Sequence, residues 1–192
     1  MFSVFEYCNV PVDDTTDADL LAHLPATDAF LRGSSRSDSA GAVLCHCTAG
    51  VSRAASVLIG HWISRDGLEM YEAMQRLRAH RTSARVAPNI GFFAQLTELV
   101  ARQRAGGGGG TRGGNSLQGT ISLEDYRIWY LWQTLANQFE GLPTNQWGGT
   151  EALPLPPAGD SLYLLVRKKM VQYHHDVKRA RRDCVQELIA SG

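Results

Sequence analysis

Lysine is absent from the first 105 residues, where ten arginines carry all the fixed positive charge against eleven acids. The whole chain also sums to zero, with 19 Lys and Arg against 19 Asp and Glu, so bulk charge does not point to a nucleic-acid or membrane partner. Cysteine is scarce. Four thiols in 192 residues, two of them crowded into Cys45-His46-Cys47, argue for chemistry or chance rather than a disulfide framework. No apolar run is long enough to predict a membrane span. The opening MFSVFEYCNV has neither the basic segment nor the apolar core of a secretory signal. These absences predict a cytosolic or nuclear protein, a reduced compartment that suits a working thiolate.

Apolar periodicity then lays out the elements. Residues 2–12 alternate loosely, are rich in Val, Phe and Tyr, and predict a strand ending at the acidic turn Asp13-Asp14-Thr15. A helix is predicted over 17–31, with Pro25 bending or splitting it, and a Ser/Gly-rich loop over 33–41. The short apolar run 42–47 predicts a buried parallel strand, followed after Gly50 by a helix over 54–63 that is apolar on nearly every face. Further helices fit 68–79 and 90–102. Strand, tight loop and buried helix together predict an α/β fold, with the loop at the carboxyl end of a strand.

The sequence AGGGGGTRGG at 105–114 reads as a flexible linker, so the domain boundaries are predicted as 1–104, a linker over 105–121 and a helical extension over 122–192. Within the extension, Ser122 and Asp125 predict the start of an aromatic helix reaching residue 139. A Gly/Pro-rich stretch at 148–159 precedes a single basic helix over 162–189. Residues 167–182 hold seven basic side chains against Asp176 alone. A solvated helix face, a nuclear address or a surface for an acidic partner over 166–182 all fit that run.

The strongest chemical signal is His46-Cys47-Thr48-Ala49-Gly50-Val51-Ser52-Arg53. A cysteine and an arginine with five residues between them can close a loop around one tetrahedral anion, with backbone N–H groups from Thr48 to Arg53 and the positive end of the next helix aimed inward. That potential, with His46 alongside, is expected to lower the Cys47 pKa and make it a thiolate nucleophile. Arg53 offers a planar fork for two phosphoryl oxygens. Departure of an alkoxide or phenoxide needs a proton from another loop; Asp14 is the candidate, with Asp13 its rival. A zinc site built from Cys8, Cys45, His46 and Cys47 is disfavoured, because the spacing lacks a Cys-x-x-Cys pair. Neither a metal nor a cofactor is called for. Asn89, after Pro88 and ahead of an apolar helix, fits a plain helix cap.

The string HCTAGVSR, between an apolar run and a buried helix, resembles the active-site signature of the dual-specificity branch of the protein tyrosine phosphatases. Residues 7–15, 20–24 and Pro88-Asn89-Ile90-Gly91-Phe92, with Gln95-Leu96, resemble the same family's acid strand, following helix and late Pro-Asn-x-Gly-Phe segment. The resemblance covers about the first 104 residues. It implies a protein phosphatase working through a phosphocysteine, Asp14 as general acid, Asn89 bracing the loop, and a phosphoprotein substrate. Ala54 stands where the family usually has Ser or Thr, which implies slower hydrolysis of the intermediate. In complete family domains much sequence precedes the strand placed at 2–12, so the resemblance implies a sheet flanked by helices but missing its first strands. That truncation keeps a second reading open, a non-catalytic phosphate-binding or scaffold protein. The loop itself adds no lysine or histidine at Thr48, Ala49, Val51 or Ser52, which disfavours polyanionic substrates.

Overall fold

Pro25 decides where the first helix begins. Lacking an N–H, proline fits a helix's first turn, where that group has no intrahelical acceptor. In the computed structural model of the chain, a 3-10 turn at Leu21–His23 leads into α1, Leu24–Ser34, with Pro25 as its second residue. The helix therefore starts seven positions later than residue 17, where acids in sequence suggested. The structure describes residues 5–34, 42–81, 86–106, 121–139 and 159–191. Residues 2–4 of the expected first strand, most of the 33–41 loop, most of the Gly-rich linker and nearly all of the 148–159 stretch lie outside them.

The other helices are α2, Arg53–Asp66; α3, Met70–Ala79; α4, Ile90–Ala105; α5, Leu123–Phe139; α6, Ser161–Gln172; and α7, Val177–Ser191. Gly67 closes α2 in the left-handed conformation at φ 65°, its N–H donating to Ile63 O at 3.1 Å.

The described residues do not form the predicted α/β sheet. Among the described residues there is no strand at all, and the architecture is helical. Residues 5–12 and 42–47, expected as strands, run without regular structure. A strand exists only through its ladder, and apolar patterning reports a capacity for burial without naming the segment that would pair. The side chains a sheet would cover stand in the open: Phe5 is 73% exposed, Tyr7 85% and Leu44 83%.

The described chain divides into two compact units, Met1–Ala73 with Val86–Gly114, and Met74–Arg85 with Asn115–Gly192, the division falling inside α3. In the first unit α2 packs on α1 and α4. Its core contains Leu20, Leu24, Ile59, Ile63, Phe92, Phe93 and Leu96. Gly60 lets α2 pack closely on α1, since a Cβ there would sit 2.8 Å from Leu24 Cδ2. Buried His61 meets Asp28 Oδ1 at 2.6 Å through Nδ1, and Arg32 Nε lies 2.7 Å from the other oxygen, which ties α2 to α1.

In the second unit α6 packs on α5 and α7. Ser122 caps α5, accepting from the Asp125 N–H at 3.0 Å. Tyr126, Trp132, Leu135, Met170 and Cys184 are among its buried side chains. The single basic helix expected over 162–189 is two helices. His174 and His175 take positive φ, 49° and 63°, and Asp176 Oδ1 then accepts from the N–H groups of Lys178 (3.0 Å) and Arg179 (3.1 Å) to start α7. Helical periodicity on both sides hides this break, because Tyr, His and Asp interrupt no apolar stripe.

Candidate active site

The signature loop occupies the turn into α2. Gly50 adopts φ 69°, a conformation open to glycine at little cost, and its N–H donates to Cys47 Sγ at 3.2 Å. Burial works against ionising this thiol, but N–H donors from Ala54, Gly50 and Ala49 and the Arg53 charge outweigh it, so Cys47 lies below the ordinary thiol range. Ala54 thus reaches the sulfur by its backbone, although its side chain brings no hydroxyl. Cys45 turns away, its thiol 3.7 Å from Ala54 O. All four cysteines are free. His46, Thr48 and Ala49 are exposed, and Val51 is half-buried.

Arg53 is the first residue of α2. Its Nη2 donates to Thr48 Oγ1 at 2.9 Å, across the same loop. Its Nε is shielded from solvent and makes no hydrogen bond among the described residues; Asp14 Oδ2 lies 4.0 Å away.

Asp14 is brought to the loop by two donors on a single oxygen. Ser52 Oγ–H donates to Oδ1 at 2.7 Å and Asn89 Nδ2 donates to the same oxygen at 2.8 Å. Oδ2 is left facing Arg53. Asp13, by contrast, is exposed and makes no hydrogen bond or ion pair among the described residues.

Asn89 takes both of the positions open to it. Its Oδ1 accepts from the Phe92 N–H at 2.9 Å and caps α4, while Nδ2 reaches Asp14 and the Thr15 carbonyl, the latter at 3.2 Å. Its own N–H donates to Ser52 Oγ at 2.9 Å. Two residues earlier in the same stretch, the Ala87 N–H meets Val51 O at 3.0 Å. Ser52 is 7% exposed and is bonded from both sides.

Two residues whose roles sequence reasoning did not supply complete the support. Gln95 accepts from the N–H groups of Leu20 (2.8 Å) and Leu21 (3.2 Å) through Oε1 and donates to the Ala18 carbonyl (2.8 Å) through Nε2. Gly91 lets α4 approach the acid loop, since a Cβ there would lie 2.0 Å from Thr16 O. The signal was present in the spacing: 89, 91, 92 and 95 fall within two turns of one helix. What the sequence could not show is that this helix meets residues 14–21.

The arrangement therefore holds a thiol of lowered pKa, an arginine fork and a carboxylate oxygen around one loop. Among the described residues no group of three or more His, Cys, Asp and Glu side chains could hold a metal ion.

Residues 2–102 match the model of the dual specificity phosphatase catalytic domain. The chain belongs to the dual specificity phosphatases. Among its curated relatives in this family, dual specificity protein phosphatase 19 of Mus musculus is 32% identical over 106 residues, 55% of this chain and 46% of that protein. Dual specificity protein phosphatase 26 of Bos taurus is 32% identical over 100 residues, 52% of this chain and 46% of the other. Protein phosphatase Slingshot homolog 1 of Homo sapiens is 36% identical over 95 residues, half of this chain but 9% of the relative. The chain spans about half the length of the first two. No solved structure matches it. No helix among the described residues is long and apolar enough to cross a membrane.

Proposed function

We propose that this dual specificity phosphatase chain hydrolyses phosphate monoesters on proteins, at tyrosine, at serine and threonine, or at both, through a phosphocysteine at Cys47. The observation that carries the reading is the thiol at Cys47, held below its ordinary pKa by three backbone donors with Arg53 beside it. A residue kept for packing needs no such donors.

In the first step Cys47 Sγ attacks phosphorus, the bond to the leaving oxygen breaks, and Asp14 Oδ2 gives that oxygen its proton. Arg53 turns from Thr48 to bind two phosphoryl oxygens, and the inward N–H groups hold the third. In the second step water attacks the phosphocysteine, Asp14 takes the water's proton, the Cys47 thiolate leaves and inorganic phosphate departs. Asn89 and Ser52 act as positioning residues, since they hold Asp14 Oδ1 and leave Oδ2 for the proton. No side chain at Ala54 assists the departing thiolate, so the second step is the slower one in this reading. Family membership and the three relatives support a phosphoprotein substrate. A working thiolate supports a reduced compartment, the cytosol or nucleus, and the neutral overall charge supports neither a membrane nor a nucleic-acid partner. No metal or cofactor enters either step.

Hydrolysis of aryl phosphates in reductant tests this. Cys47→Ser should abolish turnover, on the order of 10³-fold or more. Asp14→Asn should lower it by about 10²- to 10⁴-fold for phenyl phosphate and less for a nitrophenyl ester, whose leaving group needs no proton. Asp13→Asn should change little. A folded wild-type chain with no activity would sink the reading, and an Asp13 effect larger than the Asp14 effect would transfer the acid role.

A further inference from the structure

The second unit contains a groove of about 430 Å³ lined by Gln138 at the end of α5 and by Lys178, Arg181, Arg182, Val185 and Gln186 of α7. The α7 residues fall at i, i+3, i+4, i+7 and i+8, one continuous stripe of that helix. The accessible floor of the groove is almost entirely carbon. Ile189, 69% exposed, stands where the same stripe continues.

The described acids of this unit are already engaged. Asp160 caps α6 at the Tyr163 N–H, 2.6 Å away, and Asp176 caps α7. Asp183 and Glu187 hold the amino group of Lys169, which is thereby withdrawn from the surface. Glu124 lies 3.7 Å from His175, and Asp125 accepts from Ser122 at 2.6 Å. Lys178 and Arg182 have no side-chain hydrogen bond or ion pair among the described residues, and Arg181 reaches only Gln138, at 3.4 Å. Three cations therefore rim a carbon floor, and among the described residues no free anion faces them.

A solvated helix face would need charge but no such floor. Single-stranded nucleic acid would find the charge, but its bases stack on aromatic platforms, and no lining residue is aromatic. We propose that this stripe of α7 is a docking surface for an acidic protein segment bearing aliphatic anchors, the carboxylates meeting Lys178, Arg181 and Arg182 and an apolar side chain lying on Val185.

Fluorescence anisotropy on the full 192-residue chain tests it, and the readout requires no catalysis. The probe is a short labelled peptide of glutamates interrupted by leucines one helical turn apart. Lys178→Glu with Arg182→Glu should weaken its binding on the order of tenfold, and Val185→Asp should weaken it several-fold. Arg167→Glu with Lys168→Glu, equal in charge but on α6, should change it by less than about twofold. Replacing leucine by glutamate in the probe should also cost affinity. Should the reversed pair lose its helical circular dichroism, Lys178→Gln with Arg182→Gln carries the same comparison. Equal losses from the α6 pair, an all-glutamate peptide or an oligonucleotide of the same charge binding as tightly, or no binding of the leucine-bearing probe would each overturn the proposal.

Discussion

Cys47 and Cys184 are the same side chain in the two units, displaced in opposite directions. Cys184 is fully buried on α7, and burial raises its pKa to about 11, the Lys169 charge opposing without prevailing. Cys47 also meets a burial penalty, yet backbone N–H groups and Arg53 reverse the outcome. Loss of water alone makes a thiol inert, whereas the same loss accompanied by aimed donors makes a nucleophile. The difference lies in the backbone around the sulfur, not in the residue.

Alkylation sharpens that comparison most. At neutral pH Cys47 should react with iodoacetamide on the order of 10³-fold faster than Cys184, read by mass spectrometry of labelled peptides. The signs with pH differ too. Ionised Cys47 stabilises its fold above the ordinary thiol value, and that contribution fades as pH falls through the lowered one. Cys184 is neutral when folded, so the second unit loses stability as pH rises from the ordinary value toward about 11. Opposite slopes in thermal unfolding of Cys47→Ser and Cys184→Ala chains against wild type would establish the contrast; parallel slopes would break it.

Next in size is Gly91→Ala. Its Cβ would meet Thr16 O at 2.0 Å, so the acid loop must shift, and turnover should fall by up to about 10²-fold. Asn89→Ala removes a donor from Asp14 and the cap of α4 together, and should cost about 1 to 2 kcal/mol of stability by thermal unfolding along with a smaller loss of rate. Smallest is Gly60→Ala, where the neighbour at 2.8 Å is the flexible end of Leu24; a loss of about 1 kcal/mol with unchanged KM is expected.

Much of the site was legible because its signals are local. The Cys47 to Arg53 spacing, Gly50 and the cap at Asn89 each concern a single loop or helix end, and helices 54–63 and 90–102 follow a strong apolar pattern. The expected sheet had no such local test. Residues 42–47 look like a strand by composition, but a ladder needs a second segment, and no described residue supplies one. The role of Gln95 stayed unread for a related reason: a glutamine on a helix has no special meaning until residues 18–21 are known to lie against it. The break at His174 and His175 was hidden because left-handed backbone in a non-glycine residue leaves little trace in a sequence.

The supports at Asn89 and Gln95 also put the site on a clock. Ser52 waits for Asn89, 37 positions later, and Asp14 waits for a partner 75 positions on. At ordinary rates of translation the signature loop is made roughly 2 to 7 s before the residue that braces it. Through that interval only the Ser52 hydroxyl is there to hold the Asp14 carboxylate beside the arginine and thiol. The loop gains its full set of braces only when α4 arrives.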